Sequence, residues 1–193
     1  MKFIYSMIAR RQCMKLCVRR FDIDNMKAHR IILIVGKRGT GKSTLLRDIM
    51  HAIATRVDFG VAMTPTEESA EMFRTCMPSQ WIHPSFDPCK IDSMLKIQRD
   101  LSKRKKARRL FVILDDCMYD KRDLKGMCMR DLFMNGRHLS ITFCNAMQYV
   151  MDMGPDLRTQ VDYLFALREN IHSNKQKLWK YFFGMFNKYD EFN

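Results

Sequence analysis

Five short runs along the chain are rich in β-branched and aromatic residues: Ile31 to Val35, Val57 to Met63, Leu110 to Leu114, Leu139 to Cys144 and Val161 to Leu167. The first and third are apolar without a break, the pattern of strands buried on both faces. Between the runs the apolar spacing changes to that of helices. Leu45, Leu46, Ile49 and Ile53 follow the first run at helical intervals. Glu67 to Cys76 reads as a helix with Thr66 as its N-cap. Ile91, Met94, Leu95 and Leu101 predict a helix over about 90–104, and Leu124, Cys128 and Leu132 another over Arg122 to Met134. Met77 to Lys90 holds three of the five prolines and reads as an irregular connection. Strands alternating with helices predict right-handed crossovers and a mostly parallel sheet flanked by helices. Residues 30–193 form this α/β domain, and 1–29 read as a basic adaptor packed beside the first strand. Phe3, Met7, Met14 and Val18 fit a helix there only loosely.

The corner after the first run carries the clearest chemistry. Gly36-Lys37-Arg38-Gly39-Thr40-Gly41-Lys42-Ser43, followed by Thr44, fits the phosphate loop G-x-x-x-x-G-K-[ST] at every fixed position. Its glycines let the backbone turn tightly, so that successive N–H groups point at an anion. Lys42 then reaches the β- and γ-phosphates, the Ser43 hydroxyl sits on Mg²⁺, and the helix opened by the loop turns its positive end to the phosphates. The expected ligands are therefore ATP and Mg²⁺. Phe111 to Asp116 (FVILDD) adds a buried strand ending in carboxylates, the Walker B pattern. Asp115 would hold the metal sphere, directly or through water. Asp116 stands where hydrolytic ATPases keep the carboxylate that polarises the attacking water, with Glu67 and Glu68 as fallback bases. Two polar residues bracket the fourth run. Gln148, with Asn145 competing, is placed to sense the γ-phosphate, and Arg137 to stabilise transition-state charge in a neighbour's site.

Composition narrows the class. The 193 residues suffice for one domain with a core, at 47% apolar and 28% charged. Lys and Arg outnumber Asp and Glu by 34 to 21, a formal +13, which suggests a polyanionic partner. Lys103 to Arg109 concentrates six bases in seven positions, more than a helix dipole needs. A phosphate-backbone contact and an importin-type signal explain it equally. The seven cysteines are odd in number and without a C-x-x-C pair, against both a disulfide framework and a zinc site. Cys13 and Cys17 share a helix-face spacing but nothing completes a metal set. No apolar run approaches the ~20 residues that span a bilayer. The expectation is a soluble chain in a reducing compartment.

GKRGTGKSTLLRDI, FVILDDCMYD, the strand closed by Gln148, DLRTQVDYLFALREN and LWKYFFGMFNKY together resemble the genome-packaging ATPases of large nucleocytoplasmic DNA viruses, the poxvirus type among them. These belong to the FtsK–HerA group of P-loop motors. The resemblance runs from about Arg30 to the end of the chain. It implies a RecA-like ATPase core with an additional strand, and a homo-oligomeric ring that pumps double-stranded DNA into capsids. Capsid or portal-type proteins would be partners, and the location would be the host-cell cytoplasm, the viral factory or the virion. By position Lys42 and Ser43 bind phosphate and Mg²⁺, Asp115 holds the metal, Asp116 is the catalytic carboxylate and Gln148 the sensor. Arg137 is the arginine offered to the next subunit, and Arg158 a lower-ranked finger. The sequence departs from the wider group in having aspartate rather than glutamate at 116. Family members also usually continue past residue 193, which implies a missing C-terminal segment.

Two other readings compete. A nucleoside or nucleotide kinase also opens with this loop, but would depend on a nucleoside acceptor. A non-catalytic subunit would bind ATP merely to order an interface, and would show no turnover.

Overall fold

The computed structural model describes residues 3–6, 17–117, 121–149 and 153–192. Strands β1 (Phe3–Ser6) and β2 (Cys17–Arg20) form an antiparallel pair, with Phe3 opposite Arg20. The loose helical spacing there is overridden by this ladder at both described ends. Met7, Cys13 and Met14 lie outside the described residues. Residues 21–29 then lie on the core. Phe21 meets the Tyr163 ring at a tilt and the Phe165 ring edge-on, Met26 is buried, and the Lys27 N–H donates to the Tyr163 hydroxyl at 3.1 Å.

The main sheet has six strands, all parallel: β3 (Ile31–Val35), β4 (Phe59–Met63), β5 (Ile82–His83), β6 (Leu110–Asp115), β7 (Ile141–Met147) and β8 (Tyr163–Ala166). Their spatial order is β5-β4-β6-β7-β3-β8. The additional strand β7 therefore separates the phosphate-loop strand β3 from the carboxylate strand β6. Every residue of β3, β6 and β7 is buried, which is why their sequences lack a polar alternation.

Helices cover both faces. On one lie α1 (Lys42–Ile53) and α2 (Glu67–Arg74), whose Leu46, Ile49, Ile53 and Phe73 pack on Ile32, Ile34 and Ile113. On the other, α3 (Pro88–Lys103), α5 (Met127–Asn135) and α7 (His172–Phe182) pack on Leu33, Val112, Leu114 and Phe143. The short helices α4 (Lys121–Lys125), α6 (Pro155–Arg158) and α8 (Tyr189–Phe192) complete the chain.

Several boundaries differ from the sequence reading for identifiable reasons. The helix expected over 122–134 is broken at Gly126, whose extended backbone separates α4 from α5. The expected strand from Leu139 begins later, because Gly136–Leu139 form a 3-10 turn, and runs on through Asn145 to Met147 between two neighbours. α3 starts at Pro88 because the Asp87 carboxylate caps the N–H groups of Cys89 and Lys90. The connection read as irregular contains β5, which pairs with only the last two residues of β4.

Phe143 is fully buried at the centre of β7 and meets the Phe133 ring edge-on at 5.1 Å. Phe143→Ala is expected to cost about 3–5 kcal/mol of folding stability. Denaturant unfolding would check this, and a loss under about 1 kcal/mol would mean that the helices on that face close the cavity.

Candidate active site

The phosphate loop is built where β3 leaves the sheet. Gly36 N–H donates to Met147 O at 3.2 Å, and Leu167 N–H donates to Val35 O at 2.8 Å, so both neighbouring strands hold the start of the loop. A Cβ on Gly36 would lie 2.6 Å from Thr40 Oγ1 and 2.8 Å from Leu167 Cβ, which excludes any side chain. Gly39 and Gly41 take φ values of 76° and 92°, in the left-handed region that glycine adopts freely. Gly41 caps α1 without a side-chain hydrogen bond, leaving the first N–H groups of the helix available to an anion. Arg38, Ser43 and Thr44 are exposed around the loop.

Lys42 is 6% exposed and lies under the loop it belongs to. Its ammonium donates to Gly36 O at 2.9 Å and Lys37 O at 3.4 Å, and pairs with Asp116 Oδ2 at 3.2 Å. The same Asp116 oxygen accepts from Gln148 Nε2 at 3.2 Å. Lys42, Asp116 and Gln148, predicted separately, thus form one chain of contacts across the carboxyl ends of β3, β6 and β7. Asp115, beside them, is buried and accepts from Ser69 Oγ at 2.7 Å. Burial pushes its carboxyl above the usual range, Ser69 and Lys42 pull it down, and the Asp116 charge adds to the rise. A buried carboxylate at the strand end beside a phosphate loop suits a divalent cation.

Ser69 escaped the sequence reading. The available signal was a hydroxyl on the buried stripe of α2, beside Ala70 and Phe73. That signal means something only once α2 is known to face Asp115. Glu67 is instead tied to Arg74 at the surface, and Glu68 is exposed. Asn145 is fully buried and shares the face of Phe143 and Met147, away from α1. Its carboxamide has no hydrogen-bond partner among the described residues. Of the two sensor candidates, Gln148 is the one that touches Asp116.

Arg137 lies at the other edge of the sheet, in the turn before β7. It pairs with Asp162, which also holds Arg30 at 3.5 Å and accepts the Ile31 N–H at 2.9 Å. It is therefore remote from the phosphate loop of its own chain. Arg158 stacks its guanidinium 4.0 Å from the Tyr181 ring centroid. The basic run 103–109 shares the edge of Arg137, since it leads into the start of β6. Within it Arg109 pairs with Asp58 at 2.7 Å.

Fold and site together define the P-loop NTPase architecture, in the form with an added strand between the phosphate-loop strand and the carboxylate strand. The chain belongs to the Poxvirus A32 protein family, whose model matches residues 18–180. It is similar to the uncharacterised protein L437 of Acanthamoeba polyphaga mimivirus, 31% identical over 182 residues, covering 89% of this chain and 64% of that one. The chain spans between 48% and 64% of the length of the curated relatives it matches. Among solved structures it resembles B204, the DNA-packaging ATPase of Sulfolobus turreted icosahedral virus. That match has a TM-score of 0.60 and 18% identity, covering 81% of this chain and 84% of B204. It also resembles the genome-packaging NTPase B204 of Sulfolobus turreted icosahedral virus 2 in complex with AMPPCP. There the TM-score is 0.60 and the identity 14%, over 87% and 88% of the two chains. Among the described residues no helix is long and apolar enough to cross a membrane.

Lys37 links the loop to the segment after β8 through Glu169 at 3.0 Å. Burial opposes ionisation of Glu169, but the Ile171 N–H, Lys37 and Asn174 together hold its pKa down at about 2. A depressed carboxyl stabilises the fold above its unfolded value, and that contribution is lost as pH falls towards its folded value. Glu169→Gln is therefore expected to flatten the acid limb of the stability profile between the ordinary carboxyl value of 4.5 and about 2. Thermal unfolding across that range would show it. An unchanged acid limb would mean that Glu169 does not anchor the loop.

Proposed function

We propose that this chain is an ATP-hydrolysing motor that assembles as a ring and moves double-stranded DNA into a capsid. The observation that carries the reading is the Lys42–Asp116–Gln148 chain at the mouth of the phosphate loop. Lys42 neutralises Asp116. When ATP binds, its phosphates compete for the Lys42 ammonium, and Asp116 is released to accept a proton from the attacking water. Gln148 keeps the Asp116 carboxylate oriented and reports whether the γ-phosphate is present. Ser43 and Asp115 would hold Mg²⁺, which would supply positive charge to offset that of the phosphates. The water oxygen bonds to the γ-phosphorus as the bond to the ADP oxygen breaks, and ADP and phosphate leave.

Arg137 serves a neighbour rather than its own site, because it stands at the opposite ends of the strands. Leaving Asp162 is the step that frees it. The formal charge of +13 and the 103–109 run suit the phosphate backbone, whose binding releases counterions.

Steady-state hydrolysis measured with and without double-stranded DNA, across protein concentration, tests the proposal. Turnover should rise steeply with concentration and with DNA, and need no phosphate acceptor. Lys42→Ala should lose nucleotide binding and turnover together. Asp116→Asn should keep nucleotide but lose about 10²–10⁴ in turnover. Arg137→Ala should lose about 10³ or more, and mixing it with Lys42→Ala subunits should restore activity. Turnover indifferent to concentration and to DNA would leave an ATPase that is no motor. Dependence on a nucleoside acceptor would make it a kinase.

A further inference from the structure

The outer edge of β4 is only partly covered. β4 pairs with β6 from Phe59 to Met63, but β5 meets it at Ala62 and Met63 alone. Successive residues of a strand turn their backbone N–H and C=O groups to opposite sides of the ladder. Thr64 N–H donates outward to His83 O at 2.9 Å, so Ala62 and Gly60 face the same way. Gly60 therefore presents an N–H and a C=O to an edge with no strand beside it among the described residues.

An apolar hollow flanks this position on each face of the sheet. The larger, of about 560 Å³, lies between β4 and α3 and includes Phe59, Val61, Ile97 and Leu101. The smaller, of about 380 Å³, is lined by Met50, Val57 and Met77 on the α1 face. Trp81 lines both. Phe59, Trp81 and Ile97 are 48%, 39% and 60% exposed, large apolar surfaces of the kind that natural strand edges avoid. An added strand sends alternate side chains to opposite faces, so one open strand position between two hollows matches what such a strand needs.

Charge selects the occupant. Lys90 and Arg108 line the larger hollow, which has no carboxylate in its lining, and Asp58 in the smaller one is already paired with Arg109. A second copy, carrying its own +13, would bring repulsion to this rim. A nucleic acid would find apolar walls where its phosphates need donors. We propose that this edge binds an extended segment of a protein partner as an added strand. That segment is apolar at alternate positions and acidic at its flanks.

The test uses a fluorescein-labelled peptide EDVTFTVDE, its lysine-ended counterpart KKVTFTVKK, and versions of the first methylated on alternate backbone nitrogens in each register. Fluorescence anisotropy should show binding of the acidic peptide, weakened about tenfold or more by lysine ends and by methylation in one register. Gly60→Pro removes the outward N–H and blocks the edge while leaving the β4–β6 ladder intact. Its new side chain meets the flexible end of Met77 at 3.1 Å. It should weaken binding by a similar factor. If that variant does not fold, Arg108→Glu, at an exposed side chain, should turn the preference towards the lysine-ended peptide. Failure of the full chain to bind the acidic peptide would overturn the proposal, as would equal binding of acidic and basic peptides or indifference to Gly60→Pro. Sedimentation showing self-association that Gly60→Pro abolishes would assign the edge to a second copy instead.

Discussion

A lysine ammonium shut away from water must find acceptors or lose its charge, and Lys42 is nearly buried. Two come from its own loop, the carbonyls of Gly36 and Lys37, and the third is the Asp116 carboxylate. Each acceptor fixes something else. The carbonyls curl the loop around the ammonium, which turns the backbone N–H groups outward. Asp116 draws the end of β6 towards β3 across the intervening β7, and Gln148 closes the gap from the end of β7. The loop thus holds its shape through the same ammonium that pairs with Asp116.

The parallel sheet divides the remaining work between its two edges. At the carboxyl ends of the strands stand the phosphate loop, Asp115, Asp116 and Gln148. At the amino ends stand Arg137, Arg30 and Asp162, with the basic 103–109 run entering β6. Gln98, buried in α3, ties that edge together by donating to Arg108 O and Leu139 O. Because all six strands run the same way, no residue at one edge can reach the chemistry at the other within one chain. Arg137 is accordingly held by Asp162 at the amino ends, apart from the phosphate loop of its own chain.

Much of this was legible because buried parallel strands leave little freedom. Ile31–Val35 and Leu110–Leu114 had to be strands, and residues that end such runs must lie at the sheet's edge. The phosphate-loop and strand-end motifs named Lys42, Ser43, Asp115 and Asp116, and that logic put them at one edge. What was missed depends on which helix faces which strand. Ser69 is an ordinary polar residue until α2 turns it to Asp115. Asn145 looked as able as Gln148 to sense phosphate, since alternation along β7 cannot tell one face of the sheet from the other. Its burial without a partner costs about 1–3 kcal/mol. β5 was invisible because two residues carry no periodicity.

The aspartate at 116, one methylene shorter than the usual glutamate, has a physical explanation in the backbone. Asp116 takes φ of 48°, in the left-handed region that asparagine and aspartate enter more readily than longer residues. Its N–H still donates to Ala146 O at 3.0 Å, so β6 stays paired to β7 to its last residue. The chain then turns sharply and carries the short carboxylate back towards Lys42. A glutamate leaving the strand in an extended conformation would cover the same distance with its extra methylene. Here the turn supplies the reach, so the residue type and its strained φ are two halves of one solution.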